Sequence, residues 1–182
     1  MRPLRIEPFS FSYDGHDRLT YPPLCFEPGL NILKGANGSG KTTYLKALAG
    51  LLGERVHQKE SLYMSEKPSF PSYMRVKDYL MALESASPST KGEANELLER
   101  FGLHAKREAR IESLSKGMRQ KLALIETLNE ARPLYLLDEP FNGIDKAFMP
   151  LALEAVSALK GIVIVTLHEA VDFKGPLREV YL

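Results

Sequence analysis

A glycine-rich stretch directly after an apolar run constrains this chain more than any other feature. The run Leu30–Leu33 predicts a buried strand, and the residues from Gly35 to Thr43 read Gly-Ala-Asn-Gly-Ser-Gly-Lys-Thr-Thr. This stretch satisfies the pattern G-x-x-x-x-G-K-[ST], in which glycines let successive backbone N–H groups wrap around a phosphate. A helix predicted from Tyr44 to Leu52 adds positive partial charge at its N-terminus. Strand, loop and helix together predict a nucleotide phosphate site.

The side chains of this loop have separate expected roles. Lys41 is expected to reach the β- and γ-phosphates of a nucleotide, and the Thr42 hydroxyl to ligate the accompanying Mg²⁺. The other residues of the predicted nucleotide site are Gly35, Asn37, Gly38, Ser39, Gly40 and Thr43. A nucleotide with β- and γ-phosphates, together with Mg²⁺, is therefore the expected ligand.

Length and charge favour one globular domain without a nucleic-acid partner. The chain has 182 residues with 44% hydrophobic content, enough for one core with a helical insertion. Its 24 Lys and Arg against 23 Asp and Glu give a net charge of +1, too little to attract nucleic acid through a global field. The single Cys25 cannot form an internal disulfide and is expected to pack as a small apolar side chain.

No apolar run approaches the ~18 to 20 residues that would cross a bilayer, and the N-terminus lacks the pattern of a secretory signal. We therefore expect a cytoplasmic chain that does not itself enter the membrane.

Apolar periodicity predicts alternating strands and helices along the chain. A strand from Leu4 to Tyr13 is followed by a turn from Asp14 to Arg18, and Ser85 to Gly92 is expected to be a mobile surface connection. The remaining predicted strands comprise two short ones between Leu24 and Leu33, then Leu62–Met64, Leu134–Leu137, Ile162–Leu167 and Glu179–Leu182. The remaining predicted helices are Val76–Ser85, Glu93–Phe101, Ser115–Asn129, which Ser115 opens as an N-cap, and Lys146–Leu159.

Two adjacent carboxylates follow the apolar run Leu134–Leu137. Ligands of open α/β sheets bind at the carboxyl ends of the strands, where Asp138 and Glu139 would lie. We expect Asp138 to hold hydrated Mg²⁺ and Glu139 to polarise the water that attacks the γ-phosphate. The alternative, an N-cap pair before Pro140, is less favoured because the phosphate loop already requires an acidic metal partner.

The order of these motifs resembles the nucleotide-binding subunit of an ATP-binding cassette (ABC) transporter over nearly the whole chain. The segment Leu114–Met118 resembles the family signature Leu-Ser-Gly-Gly-Gln and keeps Ser115 and Gly117, whereas Lys116 and Met118 depart from it. The resemblance implies that Ser115 and Gly117 bind the γ-phosphate held by a second subunit, in a homodimer or a heterodimer.

The family also implies the architecture. We expect an α/β P-loop NTPase of the ABC ATPase type, with a mostly parallel core sheet, a small N-terminal antiparallel β part and an inserted helical subdomain. Within a single domain, 1–182, residues 1–71 and 132–182 would form the ATP-binding core and 72–131 the helical subdomain. The chain resembles a small bacterial exporter subunit, trimmed after the phosphate-loop helix and at the C-terminus.

Two further matches suggest catalytic and dimer contacts. The segment Asn142–Asp145 resembles the family's D-loop, in which Asp145 would help to position the facing phosphate loop; the alternative is that Asp145 only caps the next helix. His168, after the run Ile162–Leu167, resembles the switch histidine that contacts the γ-phosphate, although an isolated histidine is more often structural.

Two weaker matches concern the base and the metal. Tyr13 is the preferred candidate for stacking on adenine, with Phe11 and Tyr21 as rivals. Glu66 stands where the family usually has a glutamine that touches the metal; the alternative is an exposed loop acid.

The leading hypothesis is an ATP-hydrolysing subunit that dimerises on ATP and drives a separate transmembrane permease, to which it is bound on the inner face of the cell membrane. The helices from Val76 to Phe101 would dock on that partner, with Tyr73, Tyr79 and Met81 as candidate contacts. The alternative is a soluble ABC ATPase that acts on nucleic acid, the ribosome or Fe–S assembly. A dimerisation module with little turnover is less favoured because Glu139 and His168 are present.

Overall fold

In the computed structural model, which describes residues 1–13, 15, 18–53, 56, 58–86, 93–169 and 171–182, the chain forms two units. The first comprises Met1–Ser65, Arg132–Pro140 and Leu159–Leu182, and is called the sheet unit below. The second comprises Glu66–Ala131 and Phe141–Ala158, and is called the helical unit.

Four short strands open the sheet unit: β1 (Leu4–Ile6), β2 (Phe9–Phe11), β3 (Leu19–Tyr21) and β4 (Leu24–Phe26). Strand β1 pairs with β4 and β2 with β3, both antiparallel, which confirms the predicted N-terminal antiparallel part. The prediction of one strand from Leu4 to Tyr13 is wrong. Pro8 lies between β1 and β2, and proline cannot donate a ladder hydrogen bond. Strand β3 was not predicted, and the expected turn before it falls partly on residues 14, 16 and 17, outside the described residues.

A five-stranded parallel sheet forms the centre of this unit. Its strands are β5 (Gly29–Lys34), β6 (Ser61–Met64), β7 (Leu134–Asp138), β8 (Ile162–Thr166) and β9 (Leu177–Tyr181), in the order β6-β7-β8-β5-β9. All four neighbouring pairs are parallel. The predicted α/β class with a mostly parallel core sheet is thus confirmed. Strand β8 lies between the strand before the phosphate loop and the strand before the two carboxylates.

Helix α1 (Lys41–Leu48) packs on the sheet through fully buried Tyr44, Leu45 and Leu48. The predicted span, Tyr44 to Leu52, is displaced toward the C-terminus. The helix begins directly after Gly40, and it ends before Gly50, whose φ of 76° is a left-handed conformation that terminates helices.

The described residues of the helical unit form the α-helices α2 (Val76–Ala86), α3 (Glu93–Arg100), α4 (Lys116–Leu128) and α5 (Met149–Ser157). Residues 87–92 of the predicted surface connection lie outside the described residues. Ser115 is the N-cap of α4, and its hydroxyl accepts the Met118 N–H at 3.2 Å. Helix α5 starts three residues later than predicted and has Pro150 in its first turn.

The helical unit is larger than the insertion predicted at 72–131. It begins at Glu66 and also takes in Phe141–Ala158, because α5 packs against α4. Within the described part of the chain, none of the helices combines the length and apolar character needed to span a bilayer.

Candidate active site

The loop between β5 and α1 has a shape that depends on its glycines. A Cβ at position 35 would lie 2.6 Å from Ser39 Oγ, closer than real Cβ contacts allow. Gly38 and Gly40 have φ values of 80° and 91°, in the left-handed region that favours glycine. The predicted nucleotide residues from Gly35 to Thr43 are therefore brought together in one tight turn at the start of α1.

Polar groups of this loop are arranged to meet an anion. The Lys41 ammonium donates to the carbonyl oxygens of Gly35 at 2.8 Å and Ala36 at 3.1 Å, so it folds back over the loop. Ser39 Oγ is buried and has no hydrogen-bond partner in the described part of the chain. A buried hydroxyl without a partner is costly. Both groups fit a phosphate bound in the loop.

Aromatic side chains flank the loop on the sheet unit. Tyr21 is 1% exposed, and its hydroxyl donates to the Gly40 carbonyl at 3.1 Å; burial raises its pKa to about 12. Tyr21 therefore supports the loop, and its ring is too buried to stack on adenine. Tyr13 is 64% exposed and its hydroxyl lies 3.1 Å from Thr43 Oγ1, while Phe11 packs edge-on against its ring. Of the three aromatic candidates, Tyr13 has the most exposed side chain, and adenine stacking by Tyr13 remains a prediction.

Asp138 at the end of β7 is 1% exposed and is held by three hydroxyl groups. Its Oδ1 accepts hydrogen bonds from Thr42 at 3.2 Å and Thr166 at 2.8 Å, and its Oδ2 accepts one from Tyr63 at 3.2 Å. Burial, followed by the Asp138 charge, raises the pKa of Tyr63, which keeps that phenol a proton donor. The carboxylate is thereby fixed beside the phosphate loop.

Glu139 has an unusual backbone conformation. Its φ is 51°, and among the described residues it is the one non-glycine with a positive φ. Such a conformation costs about 1–3 kcal/mol and persists where the surroundings enforce it. The side chain is held as well, because the His168 N–H donates to Oε2 at 2.7 Å and His168 Nε2 lies 3.9 Å from Oε1. The structure thus brings together the two predicted catalytic residues.

Thr42 and Asp138 fit the expected Mg²⁺. Magnesium prefers oxygen ligands, and in nucleotide sites it is held by one or two carboxylates together with substrate phosphates. A hydroxyl and a buried carboxylate oxygen already in contact supply such a donor set. Glu66, the third predicted ligand, lies in the helical unit, and its role at the metal stays a prediction.

Within the helical unit, Asn142 links Glu66 and Lys116, two of the three departures from the family pattern. Asn142 Nδ2 donates to Glu66 Oε1 at 3.2 Å, and the Lys116 ammonium donates to Asn142 Oδ1 at 3.1 Å. An acid and a base that replace uncharged residues are therefore bridged through one amide. Gly117 also lies close to the segment Asn142–Asp145, because a Cβ at position 117 would be 2.3 Å from the Gly143 carbonyl oxygen.

Asp145 is tied to the same helix as the signature. Its carboxylate accepts from the Lys121 ammonium at 2.8 Å, which lowers the pKa of Asp145, and Lys121 lies 3.3 Å above the Phe148 ring. Phe148 is the residue directly before α5, and its N–H donates to the Asp145 carboxylate. Capping of the next helix by Asp145 therefore remains a prediction beside its D-loop role. Asp145 therefore joins the D-loop segment to α4.

Sequence reasoning assigned no contact to four residues that build these arrangements: Tyr63, Lys121, Asn142 and Thr166. Two of them carried a signal, since Asn142 opens the segment that resembles the D-loop and Thr166 is a polar residue that ends the otherwise apolar run of β8. The others needed the fold to bring distant segments together.

Comparison with known proteins agrees with this geometry. The family model described as ABC transporter matches residues 25–142. The cytochrome c biogenesis ATP-binding export protein CcmA of Methylococcus capsulatus is 30% identical over 190 residues, which cover 91% of this chain and 92% of that protein. The chain belongs to the ABC transporter family.

Two other ABC proteins show how far the likeness extends. The uncharacterized ABC transporter ATP-binding protein YhaQ of Bacillus subtilis is 37% identical over 145 residues, but the match covers 70% of this chain and only 49% of YhaQ. An ABC transporter ATP-binding protein structure from Pyrococcus furiosus superposes with a TM-score of 0.78 at 25% identity, covering 97% of this chain and 96% of that one. The P-loop ABC ATPase fold is thus confirmed along nearly the whole chain.

Proposed function

We propose that this chain is the ATP-binding and ATP-hydrolysing subunit of an ABC transporter. The observation that carries the proposal is Glu139, a buried acid whose carboxylate is fixed by the His168 N–H. Its neighbour Asp138 contacts Thr42 at the phosphate loop. A module that only bound ATP would not need an acid held in this way, because it activates no water.

The loop between β5 and α1 would bind the nucleotide. When the nucleotide binds, the Lys41 ammonium would leave the carbonyl oxygens of Gly35 and Ala36 and donate to the β- and γ-phosphate oxygens. These hydrogen bonds are stronger than those to the carbonyls because the phosphate oxygens carry negative charge. Thr42 and Asp138 would hold Mg²⁺, which offsets the charge on the phosphates. Tyr13 would stack on the adenine.

Glu139 and His168 would carry out hydrolysis. A carboxylate is a good hydrogen-bond acceptor, so Glu139 orients and polarises the water that attacks the γ-phosphate. The His168 side chain is exposed and its Nε2 lies 3.9 Å from Glu139 Oε1, so the imidazole would meet the γ-phosphate beside that carboxylate.

The signature residues would act on a second subunit. Ser115 is exposed and caps α4, whose N-terminus favours an anion, and Gly117 keeps the backbone close to the D-loop segment. ATP would then be shared between two subunits, and Asp145 would face the partner's phosphate loop. Hydrolysis removes the γ-phosphate and releases the pair.

Transport is proposed because a related protein, CcmA, is named as an export protein. The chain would work in the cytoplasm, at the inner face of the cell membrane, through a separate permease. Tyr73 and Met81, which are 74% and 61% exposed, are the candidate docking residues in the helical unit. Tyr79 is a weaker candidate than its sequence suggested, because it packs on Phe70 and hydrogen-bonds Glu126.

Phosphate release by the purified chain tests the enzymatic part of the proposal. We expect Mg²⁺-dependent release from ATP that is lost in Glu139→Gln; absence of release in the wild type at all protein concentrations would contradict it.

Purification from detergent-solubilised membranes tests the transport part. A stoichiometric multispan protein is expected, and Tyr73→Glu with Met81→Glu should abolish its capture without affecting ATP binding. Ribosomes or nucleic acid in its place would favour the soluble alternative.

A further inference from the structure

Thr166 is a fully buried polar residue that the proposed mechanism leaves unused. It ends β8, the strand between β7 and β5, and it stands directly opposite Asp138 in the sheet register. An apolar residue would suit the interior of a parallel sheet better at this position, because a buried hydroxyl is costly unless it is hydrogen-bonded. Its hydroxyl is therefore expected to have a specific task.

One oxygen atom of Thr166 contacts both acids. The Glu139 N–H donates to Thr166 Oγ1 at 3.0 Å, and the hydroxyl donates to Asp138 Oδ1 at 2.8 Å. A hydroxyl has a single proton and a carboxylate can only accept, so that proton goes to Asp138 and a lone pair goes to Glu139. A single hydroxyl group thus contacts both acids.

The first of these bonds acts on the strained residue. Glu139 has φ 51°, and two described contacts hold it: Thr166 at the end of β8 accepts from its backbone N–H, and the His168 N–H, two residues later, donates to its carboxylate. Strained conformations persist only where surrounding contacts enforce them. Removing the Thr166 hydroxyl would take away one of the contacts that enforce this backbone conformation.

We propose that Thr166 is a positioning residue for ATP hydrolysis, whose hydroxyl holds the Glu139 backbone in its left-handed conformation and so aims the carboxylate at the attacking water. This inference rests on the proposed function. It predicts that Thr166 affects turnover more than ATP affinity, since Asp138 keeps its hydrogen bonds from Thr42 and Tyr63 when the Thr166 hydroxyl is removed.

Amide hydrogen exchange in the nucleotide-free protein tests the positioning without any catalysis. We expect the Glu139 amide to be protected in the wild type and in Thr166→Ser, and to lose protection in Thr166→Val, which keeps the shape but not the hydroxyl. Tyr63→Phe removes another hydroxyl from Asp138 and should leave the Glu139 amide protected. Thr127→Val is the matched control, since buried Thr127 donates to the Ala123 carbonyl within its own helix, α4.

Kinetics supply the second readout. Thr166→Val should lower kcat by roughly 30- to 100-fold, the scale of a catalytic group displaced by about 1 Å, with KM changed by less than about twofold. Thr166→Ser should restore kcat to within about threefold. Rapid exchange of the wild-type Glu139 amide, equal loss in Thr166→Ser and Thr166→Val, or a loss confined to ATP affinity would each overturn the inference. A wild type that protects the amide but hydrolyses no ATP would instead contradict the proposed function.

Discussion

The acid site of the sheet unit and the signature face of the helical unit are built in opposite ways. Asp138 and Glu139 are 1% and 8% exposed, and their carboxylates are engaged by groups of the same unit. Ser115 and Lys116 are exposed, and their contacts maintain the shape of the helix start and of the adjoining loop. One site is assembled within the chain, whereas the other presents a face outward.

This contrast separates two kinds of defect. A substitution in the acid site should impair the chemistry of every molecule, whatever its concentration. A substitution of an exposed side chain on the signature face, such as Ser115, should leave ATP affinity unchanged and impair only what depends on a second subunit. The following predictions test that separation, beginning with the largest expected effect.

Glu139→Gln should lower kcat by about 10³-fold while leaving ATP affinity within about twofold, because an amide is a poor acceptor for a water proton yet keeps the size of the side chain. Steady-state phosphate release and equilibrium binding of a fluorescent ATP analogue measure the two quantities. Glu154→Gln, an exposed acid in α5, is the control. Hydrolysis at the wild-type rate would remove Glu139 from the catalytic role.

Lys41→Ala should weaken ATP binding by about 10- to 100-fold, because one charge-assisted hydrogen bond to phosphate is lost from a site otherwise made of backbone amides. Analogue binding at matched salt measures it, and Lys46→Ala on the same helix should change little. Equal affinities in the two variants would mean that the loop from Gly35 to Thr43 is not the phosphate site.

Gly117→Ala should destabilise the protein by about 1–3 kcal/mol, because its methyl group would lie 2.3 Å from the Gly143 carbonyl oxygen and force the two segments apart. Thermal unfolding measures the loss, and analogue binding should be unchanged. Lys116→Ala, which removes the hydrogen bond to Asn142 without adding atoms, should cost less. An unfolding midpoint equal to that of the wild type would show that this close approach is not required.

Glu126→Gln should stabilise the protein slightly at neutral pH. Burial raises the pKa of Glu126, despite the hydrogen bond from Tyr79, so the folded state disfavours the ionised form. The resulting destabilisation of the folded state is absent below the unfolded pKa of about 4.3, where both states are protonated. It grows as the pH rises from there to the folded pKa and is constant above it. Unfolding midpoints should therefore diverge between pH 4 and pH 7; a constant difference would contradict the burial effect.

Local patterns predicted the parts of the site that are contiguous in sequence. The loop from Gly35 to Thr43, the pair Asp138 and Glu139, and the Ser115 cap each carry their own signal, because glycine, adjacent acids and an N-cap serine act on neighbouring residues. Patterns of this kind also gave the parallel sheet, since strands buried on both faces read as continuous apolar runs.

The remaining features depend on pairings that no local pattern encodes. Thr166 meets Asp138 only because β7 and β8 pair in one register, and Asn142 meets Glu66 across 76 residues of chain. Helix ends were displaced for a similar reason. Gly40 and Gly50 set the ends of α1 through their backbone conformations, which the apolar spacing does not report.

Light scattering of Glu139→Gln with and without MgATP is the most direct test of an ATP-shared dimer. We expect a monomer without nucleotide and a stable dimer with MgATP, because the acid site would hold ATP unhydrolysed while the signature face of each subunit closes over the other's γ-phosphate. Adding Ser115→Arg should restore the monomer without weakening ATP binding. A variant that binds ATP with wild-type affinity yet remains monomeric at high protein concentration would contradict the shared-ATP dimer.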